Sequence, residues 1–161
     1  MQKLTSTHKG LITGSLMILA SLVFFYAGLP AQSPVQLLIY IIYTGGIVWS
    51  VYTYQPAEAK DNKFGSYFLQ GFKCFIVVTL LMVLFTIVFN KMHPEFSTQM
   101  AEAYKAELKQ KGNKTPAEIE KAIDDMKNYY LPMLISSAVF GYLIMGAVIS
   151  LVASLLFMKR K

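Results

Sequence analysis

Residues that could perform catalysis or bind a metal ion are few in this sequence and lie far apart. The 161 residues include two histidines, His8 and His93, and one cysteine, Cys74. A metal site needs several His, Cys or carboxylate ligands in one place, and hydrolysis within a membrane needs a Ser–His pair or two buried aspartates. The apolar segments contain neither arrangement. We therefore expect a non-enzymatic protein with no cofactor, in which His93 lies at a helix start and Cys74 is a packing residue.

Small residues recur at the spacing that brings two helices close together. Seven glycines and serines in or next to the apolar segments share a four-residue spacing: Gly10, Gly14, Ser137, Gly141, Gly146, Ser150 and Ser154. Such ridges let helix backbones approach closely and let hydroxyl groups bridge them. We expect these contacts to form within the chain, although contacts between copies of the chain have the same spacing. Packing between copies in a homo-oligomer therefore remains an alternative to packing within one chain.

Four long apolar runs set the class of protein. We predict transmembrane helices over about residues 11–29, 35–54, 67–90 and 131–158, since about 20 apolar residues at 1.5 Å each cross a hydrocarbon layer about 30 Å thick. The composition agrees, with 55% hydrophobic and only 15% charged residues. A signal peptide is a poor alternative for the first run, because its apolar region would exceed the usual length of about 7–15 residues. The expected fold is an all-α integral membrane protein with four transmembrane helices, one membrane domain over residues 1–161.

The polar segment between the third and fourth runs carries signals for helix ends. It holds seven basic and seven acidic residues over positions 91–130. Thr115 and Glu118 form a capping box around Pro116, a residue favoured at the first helical position. Gly112 is a suitable stop for a helix that comes before it. Two extramembrane helices joined by a short turn are therefore predicted.

We place these two helices at about residues 97–111 and from about 116, so that the helical insertion covers about 97–128. Apolar side chains repeat every three or four residues along both helices: Met100, Tyr104, Leu108, Ile119, Ile123 and Met126. The two stripes can cover each other only as a hairpin. Apolar surface left over would face the membrane or a partner, so these stripes are our candidate partner surface. We expect the apolar edge of the hairpin to rest on the outer end of the bundle, with Tyr129 and Tyr130 at that interface. The second helix could run on through Pro132, which would kink it.

The basic residues suit membrane headgroups better than nucleic acid. The net charge is +6, but the lysines and the arginine stand in small groups beside the apolar runs. This placement is typical of contact with anionic lipid headgroups and of topology signals. Lys73, inside the third run, lies within two turns of the polar loop, so its ammonium can reach the headgroups. We expect membrane lipids as partners and no nucleic acid.

Lysine placement also predicts the orientation. Four spans put both ends on one side, together with the loop before the third run, and that side carries eight basic residues against seven in the insertion. The residues of the first side lie closer to the spans, where they have more weight. We therefore predict both termini in the cytoplasm and the insertion outside.

Three stretches, taken in order, match the pattern of a known family. They are 68–73 (FLQGFK) at the start of the third run, 89–96 (FNKMHPEF) at its end, and 112–120 (GNKTPAEIE) before a Gly- and Ser-rich last helix. Together they resemble the bacterial family known as domain of unknown function 4199, found mainly in Bacteroidota. The resemblance covers nearly the whole chain and implies a small four-span protein of the bacterial inner membrane. It implies no activity and no catalytic residues.

Two kinds of binding function follow from these features. The first is a scaffold or accessory subunit that binds a protein partner through the extracytoplasmic insertion. The alternative is a lipid- or small-molecule-binding protein or a passive transporter. It would need a cavity near residues 44–49, where two glycines lie between Tyr43 and Trp49, although close packing explains that stretch as well. No charged residue lies deep in a run, which argues against ion-coupled transport.

Overall fold

All regular structure in the described part of the chain is helical. The computed structural model describes residues 4–28, 34, 36–54, 63–112 and 115–158. Its five helices are α1 (Ser6–Tyr26), α2 (Gln36–Tyr52), α3 (Phe64–Met92), α4 (Glu95–Lys111) and α5 (Pro116–Met158). The prediction of an all-α protein is confirmed for these residues.

Three of the helices, α1, α3 and α5, are long and apolar enough to cross a membrane. Helix α2 is apolar as well, but its apolar part, Leu37–Tyr52, is shorter. Large apolar side chains are exposed along these helices, among them Val23, Leu80 and Ile144. Extended apolar surface of this kind suits contact with hydrocarbon rather than with water. The helices therefore indicate a membrane protein.

The helix ends follow the signals in the sequence. At the start of α1 the His8 amide donates a hydrogen bond to the Thr5 hydroxyl (3.3 Å). Gly112 ends α4 with a φ of 63°, a left-handed conformation that glycine adopts without strain. At α5 the Thr115 amide donates to the Glu118 carboxylate (2.7 Å), and the Glu118 amide donates to the Thr115 hydroxyl (3.4 Å). The predicted helix stop and capping box are confirmed.

Several helix bounds differ from the predicted ones by a few residues, most of all at α1, which begins at Ser6 rather than at about residue 11. Helix α4 begins at Glu95, two residues before the predicted start, because Pro94 already has a helical φ of −65°. Helix α5 is a single element of 43 residues with Pro132 inside it. The second helix of the predicted insertion and the fourth predicted span are thus continuous. Pro132 removes one backbone donor, but the helical pattern continues on both sides of it.

Residue contacts divide the chain into two compact units. We call Met1–Val83 with Val139–Lys161 the bundle unit, and Leu84–Ala138 the hairpin unit. Helices α1 and α2 belong to the bundle unit and α4 belongs to the hairpin unit, whereas α3 and α5 contribute to both. The single membrane domain expected over residues 1–161 stays a prediction.

The core of the bundle unit is built from one stripe of each helix. Helix α2 buries Tyr43, Ile47 and Val51, and α3 buries Cys74 and Val78, in both cases at four-residue spacing. This spacing puts side chains on one face of a helix. The burial of Cys74 agrees with its interpretation as a packing residue.

Candidate functional site

The start of α1 is held against α3 by the two glycines of the GxxxG motif. A Cβ atom added to Gly10 would lie 2.8 Å from the carbonyl oxygen of Cys74, and one added to Gly14 would lie 2.6 Å from Cδ1 of Leu81. Glycine, which has no Cβ, permits this close approach of two helices. Both residues therefore lie at a contact within the chain, and this contact fixes the first turns of α1 beside α3.

Helices α2, α3 and α5 meet at Gly71. A Cβ atom added to this residue would lie 2.5 Å from the hydroxyl oxygen of Ser150 and 3.1 Å from Cγ2 of Val51. Ser150, one of the predicted packing residues, is fully buried here. The sequence analysis did not single out Gly71. One feature of the sequence points to Gly71: it is the one glycine between two bulky residues, Phe68 and Phe72.

The other small residues of α5 divide into two groups. Gly146 faces Phe75, whose Cγ would lie 2.6 Å from an added Cβ atom, and Ser154 is fully buried. In contrast, Ser137 and Gly141 are exposed, and a Cβ atom on Gly141 would meet no atom of the described chain within 4 Å. The contact within the chain that we expected for this last pair is therefore not seen among the described residues.

The stretch around 44–49 is packed on one side and open on the other, since Tyr43 and Gly46 are buried whereas Gly45 and Trp49 are exposed. A Cβ atom on Gly46 would overlap the side chain of Thr13. The Tyr43 hydroxyl donates to the Tyr142 carbonyl oxygen (2.7 Å), and Tyr43 is fully buried. Close packing is therefore seen at Tyr43 and Gly46. A polar cavity lies at the last residues of α2 and just beyond them.

This polar cavity has a volume of about 430 Å³ and belongs entirely to the bundle unit. It lies where α1 begins, where α2 ends and beside the second and third turns of α3. Most of its lining side chains are polar: Leu4, Thr5, Ser6, Thr7, Lys9, Ser50, Thr53, Tyr54, Gln70 and Lys73. Its size is within the range of small-molecule sites, so we treat it as the candidate functional site.

Hydrogen bonds between helices shape the cavity wall. The Ser6 hydroxyl on α1 donates to the Gln70 side-chain oxygen on α3 (2.7 Å). The Ser50 hydroxyl on α2 donates to the backbone carbonyl of Gln70 (3.1 Å). The Lys9 ammonium on α1 donates to the Thr53 hydroxyl just after α2. These bonds tie the ends of three helices to each other, so the lining groups are held in place before any ligand binds.

Two lysines make the cavity basic. Lys9 is only 6% exposed, and its ammonium lies 5.6 Å from the centre of the Trp49 ring. Lys73 is exposed at the rim. No Asp or Glu is among the described residues that line the cavity. From the sequence, these lysines are predicted only to contact headgroups and to set the topology, because nothing in their spacing shows that α1 and α3 bring them to one cavity.

Much of the predicted partner surface is buried or half-buried within the hairpin unit. Leu108 and Ile119 are buried, as is Ala101, which the sequence analysis did not name. Of the other stripe residues, Tyr104, Ile123 and Met126 are half-buried, whereas Met100 is 49% exposed. Leu108 and Ile119 flank the Gly112 turn, so we infer that the apolar stripes mainly cover each other. The stripes therefore build the hairpin more than they offer a surface to a partner.

A polar groove of about 440 Å³ runs along the hairpin unit. It is lined by one residue of α4 and five of α5, which places these helices side by side: Lys105, Glu120, Lys121, Ile123, Asp124 and Lys127. The groove thus combines five charged side chains with one apolar side chain, that of Ile123.

The start of α4 is held by a hydrogen-bonded His–Glu pair that packs on aromatic rings. Nδ1 of His93 lies 2.7 Å from Oε1 of Glu95, and the His93 ring contacts Phe89 and Phe96. The backbone N–H of Glu95 itself and the His93 ring both donate to the carboxylate and lower the pKa of Glu95. This arrangement agrees with a helix-start role for His93. Within the described residues no group of three or more His, Cys, Asp or Glu side chains could hold a metal ion.

The family described as "Protein of unknown function (DUF4199)" matches residues 9–159, nearly the whole chain. No curated protein and no solved structure matches the chain. The match agrees with the resemblance seen in the three sequence stretches.

Proposed function

The chain belongs to the protein family of unknown function DUF4199, and from this premise we propose a non-enzymatic function in which a four-span membrane anchor presents a helical hairpin to a protein partner. The protein would be a scaffold or accessory subunit of the bacterial inner membrane. Both termini lie in the cytoplasm, and the hairpin lies on the other side. Membrane lipids surround the bundle.

Four spans are supported by the lengths of the helices. Three helices are long enough to cross, and the 17-residue α2 extends about 25 Å, close to the hydrocarbon thickness of about 30 Å. Glycines of α1, α2 and α3 lie in close contact with side chains of neighbouring helices, as small residues do in a membrane bundle. An even number of spans returns the chain to the side from which it started.

The topology can be tested by labelling single cysteines introduced into a Cys74→Ser variant. Lys63 and Lys109 are exposed, so Lys63→Cys and Lys109→Cys report on the two sides. Cells with a permeabilised outer membrane are treated with an impermeant maleimide. We expect label at position 109 and none at position 63. Label at 63 without label at 109 would reverse the orientation, and label at both would exclude four spans with an outer hairpin.

The observation that carries the partner-binding role is that residues 84–138 form a compact unit with its own core and capped helix ends. A passive linker needs neither a left-handed glycine at the end of α4 nor a capping box at the start of α5. The buried side chains Ala101, Leu108 and Ile119 stabilise the same hairpin. A rigid surface costs little ordering entropy on binding, which favours recognition of another protein.

The charges of the groove indicate the chemistry of the partner. Lys105, Lys121 and Lys127 outnumber Glu120 and Asp124, and Ile123 adds an apolar contact. A complementary segment would carry acidic residues around one apolar side chain, since opposite charges steer and orient association. We therefore expect an acidic segment of a neighbouring exported or membrane protein.

The experiment is site-specific photocrosslinking of the full chain in intact cells. A photoreactive phenylalanine analogue at Lys121 should give a discrete adduct, and Lys127→Glu should abolish that adduct by reversing the charge beside it. The matched control places the analogue at Lys109, an exposed lysine of α4 outside the groove. Equal adducts at both positions, or an adduct at 121 that survives Lys127→Glu, would contradict binding in the groove.

A second candidate, the binding of a lipid or small molecule, is supported by one observation. The lysine-lined cavity of the bundle unit is large enough for a small ligand and is bordered by hydrogen-bond donors.

A further inference from the structure

Lys9 is a charged side chain that the bundle unit buries without a carboxylate among the described cavity residues. Its ammonium donates to Thr53 and lies over the Trp49 ring. A hydroxyl and a ring face compensate only in part for lost hydration, since a buried ammonium is costly unless an opposite charge accompanies it. The cavity beside Lys9 offers a place for that opposite charge.

We propose that this cavity binds the phosphate group of an anionic ligand. Lys9, which is buried, and Lys73, which is exposed, both line the cavity, so two positive charges are available to a phosphate bound there. Charge-assisted hydrogen bonds of this kind are among the strongest in proteins. The first turn of α1, with Ser6 and Thr7, also lines the cavity, and the start of a helix favours negative charge. The proposal rests on the cavity and its two lysines, to which the helix start adds.

The volume of the cavity indicates what the ligand can contain besides its phosphate group. Its volume of about 430 Å³ exceeds the needs of a phosphate ion alone, so it can hold a phosphate together with a glycerol-sized group. Two sources supply such a group: the headgroup of an anionic phospholipid and a soluble phosphomonoester. Under the four-span topology the cavity opens on the cytoplasmic side, where anionic lipids are present. The phosphate chemistry itself does not depend on the partner-binding role of the hairpin.

Tryptophan fluorescence can report on binding at this site. Trp49 is its one tryptophan, and its ring lies 5.6 Å from the Lys9 ammonium. A phosphate that draws this ammonium toward itself changes the field at the ring, so the tryptophan emission should shift on binding. The full chain in phosphatidylcholine nanodiscs can be titrated in two separate experiments, with phosphatidylglycerol and with glycerol 3-phosphate.

We expect a saturable change of the Trp49 emission in at least one of the two titrations. Saturation with phosphatidylglycerol alone assigns a lipid headgroup, and saturation with glycerol 3-phosphate assigns a soluble ligand. A response that is absent in both, or that rises linearly without saturation, would overturn the proposal.

Three variants separate the site from general surface charge. Lys73→Gln should weaken binding about tenfold, the loss expected for one charge-assisted hydrogen bond, and it leaves the fold intact because Lys73 is exposed. Lys9→Met should abolish the response. The matched control is Lys63→Gln, which removes the same charge beside the first turn of α3 but outside the cavity lining. If Lys63→Gln weakens binding as much as Lys73→Gln does, the response reports surface charge and the proposed site is wrong.

Discussion

The bundle unit and the hairpin unit differ in the range of their side-chain hydrogen bonds. In the bundle unit, local bonds are joined by bonds between residues far apart in the sequence, as between Ser6 and Gln70. In the hairpin unit, bonds join near neighbours, as between Thr115 and Glu118. Long-range bonds between helices fix where the helices meet, whereas local bonds fix where each helix begins and ends. The bundle unit should therefore be sensitive to the shape of its contacts, and the hairpin unit to burial and to helix caps.

The largest effect is expected from Ser150→Leu. Ser150 is fully buried against Gly71, so a larger side chain must push α3 and α5 apart at a cost of about 3 kcal/mol. The measurement is thermal unfolding of the purified protein in detergent, in which the variant should melt earlier than the wild type.

Two controls show whether that effect is one of shape. The Ser150 hydroxyl has no hydrogen-bond partner within the described chain, so Ser150→Ala should leave the melting temperature unchanged or raise it. Gly141→Leu puts the same leucine on an open face of the same helix and should be neutral. If Gly141→Leu destabilises as much as Ser150→Leu does, the close-packed contact is not the cause.

A smaller effect, confined to the other unit, is expected from Ile119→Ala. The change removes a buried side chain beside the hairpin turn and should cost about 2 kcal/mol. Amide exchange should speed up across α4 and the start of α5 while α1 and α2 stay protected, because the two units have separate cores. Met100→Ala, at a half-exposed position of the same stripe, should change exchange much less. Faster exchange in α1 and α2 as well would show that the units unfold together.

The next largest loss of stability is expected when the N-terminal cap of α5 is removed. Thr115→Ala removes the hydroxyl that accepts from the Glu118 amide and should cost about 1 kcal/mol. The loss should appear as faster exchange in the first turn of α5. Thr98→Ala is the matched control, since Thr98 is exposed within α4 and caps no helix. Equal effects of the two changes would mean that the capping box contributes no stability.

The smallest effect is a pH dependence at the start of α4. The Glu95 backbone N–H and the His93 ring hold the folded-state pKa of Glu95 below the ordinary value of a glutamate, so the stabilisation is present above the unfolded pKa and is lost as the pH falls through the folded pKa. After correction for intrinsic rates, amides of the first turn of α4 should therefore lose protection as the pH falls below about 4.3, the ordinary pKa of a glutamate. Glu95→Gln should lack this step. A step that persists in Glu95→Gln would have to come from another carboxylate.

The hairpin could be predicted in some detail because its signals are local. The sequence predicts that one helix stops at Gly112 and that the next begins with a capping box of Thr115 and Glu118. The structure has the helix stop and the capping box at these residues. The apolar stripe predicted burial, and Leu108 and Ile119 are buried. What the pattern could not show is how much of the stripe remains for a partner, since that depends on which side chains cover each other.

The cavity of the bundle unit could not be predicted, because it is made by long-range contacts. The lengths of the apolar runs and their lack of charge were enough to predict helices that are long and apolar enough to cross a membrane, since both properties follow from hydrophobicity along one segment. Only the tertiary structure decided that Gly10 and Gly14 place α1 on α3, and that Lys9 and Lys73 thereby line one cavity. The physical reason is that a helix fixes the relation of residues three or four apart, whereas the relation between helices depends on side-chain packing that no single segment contains.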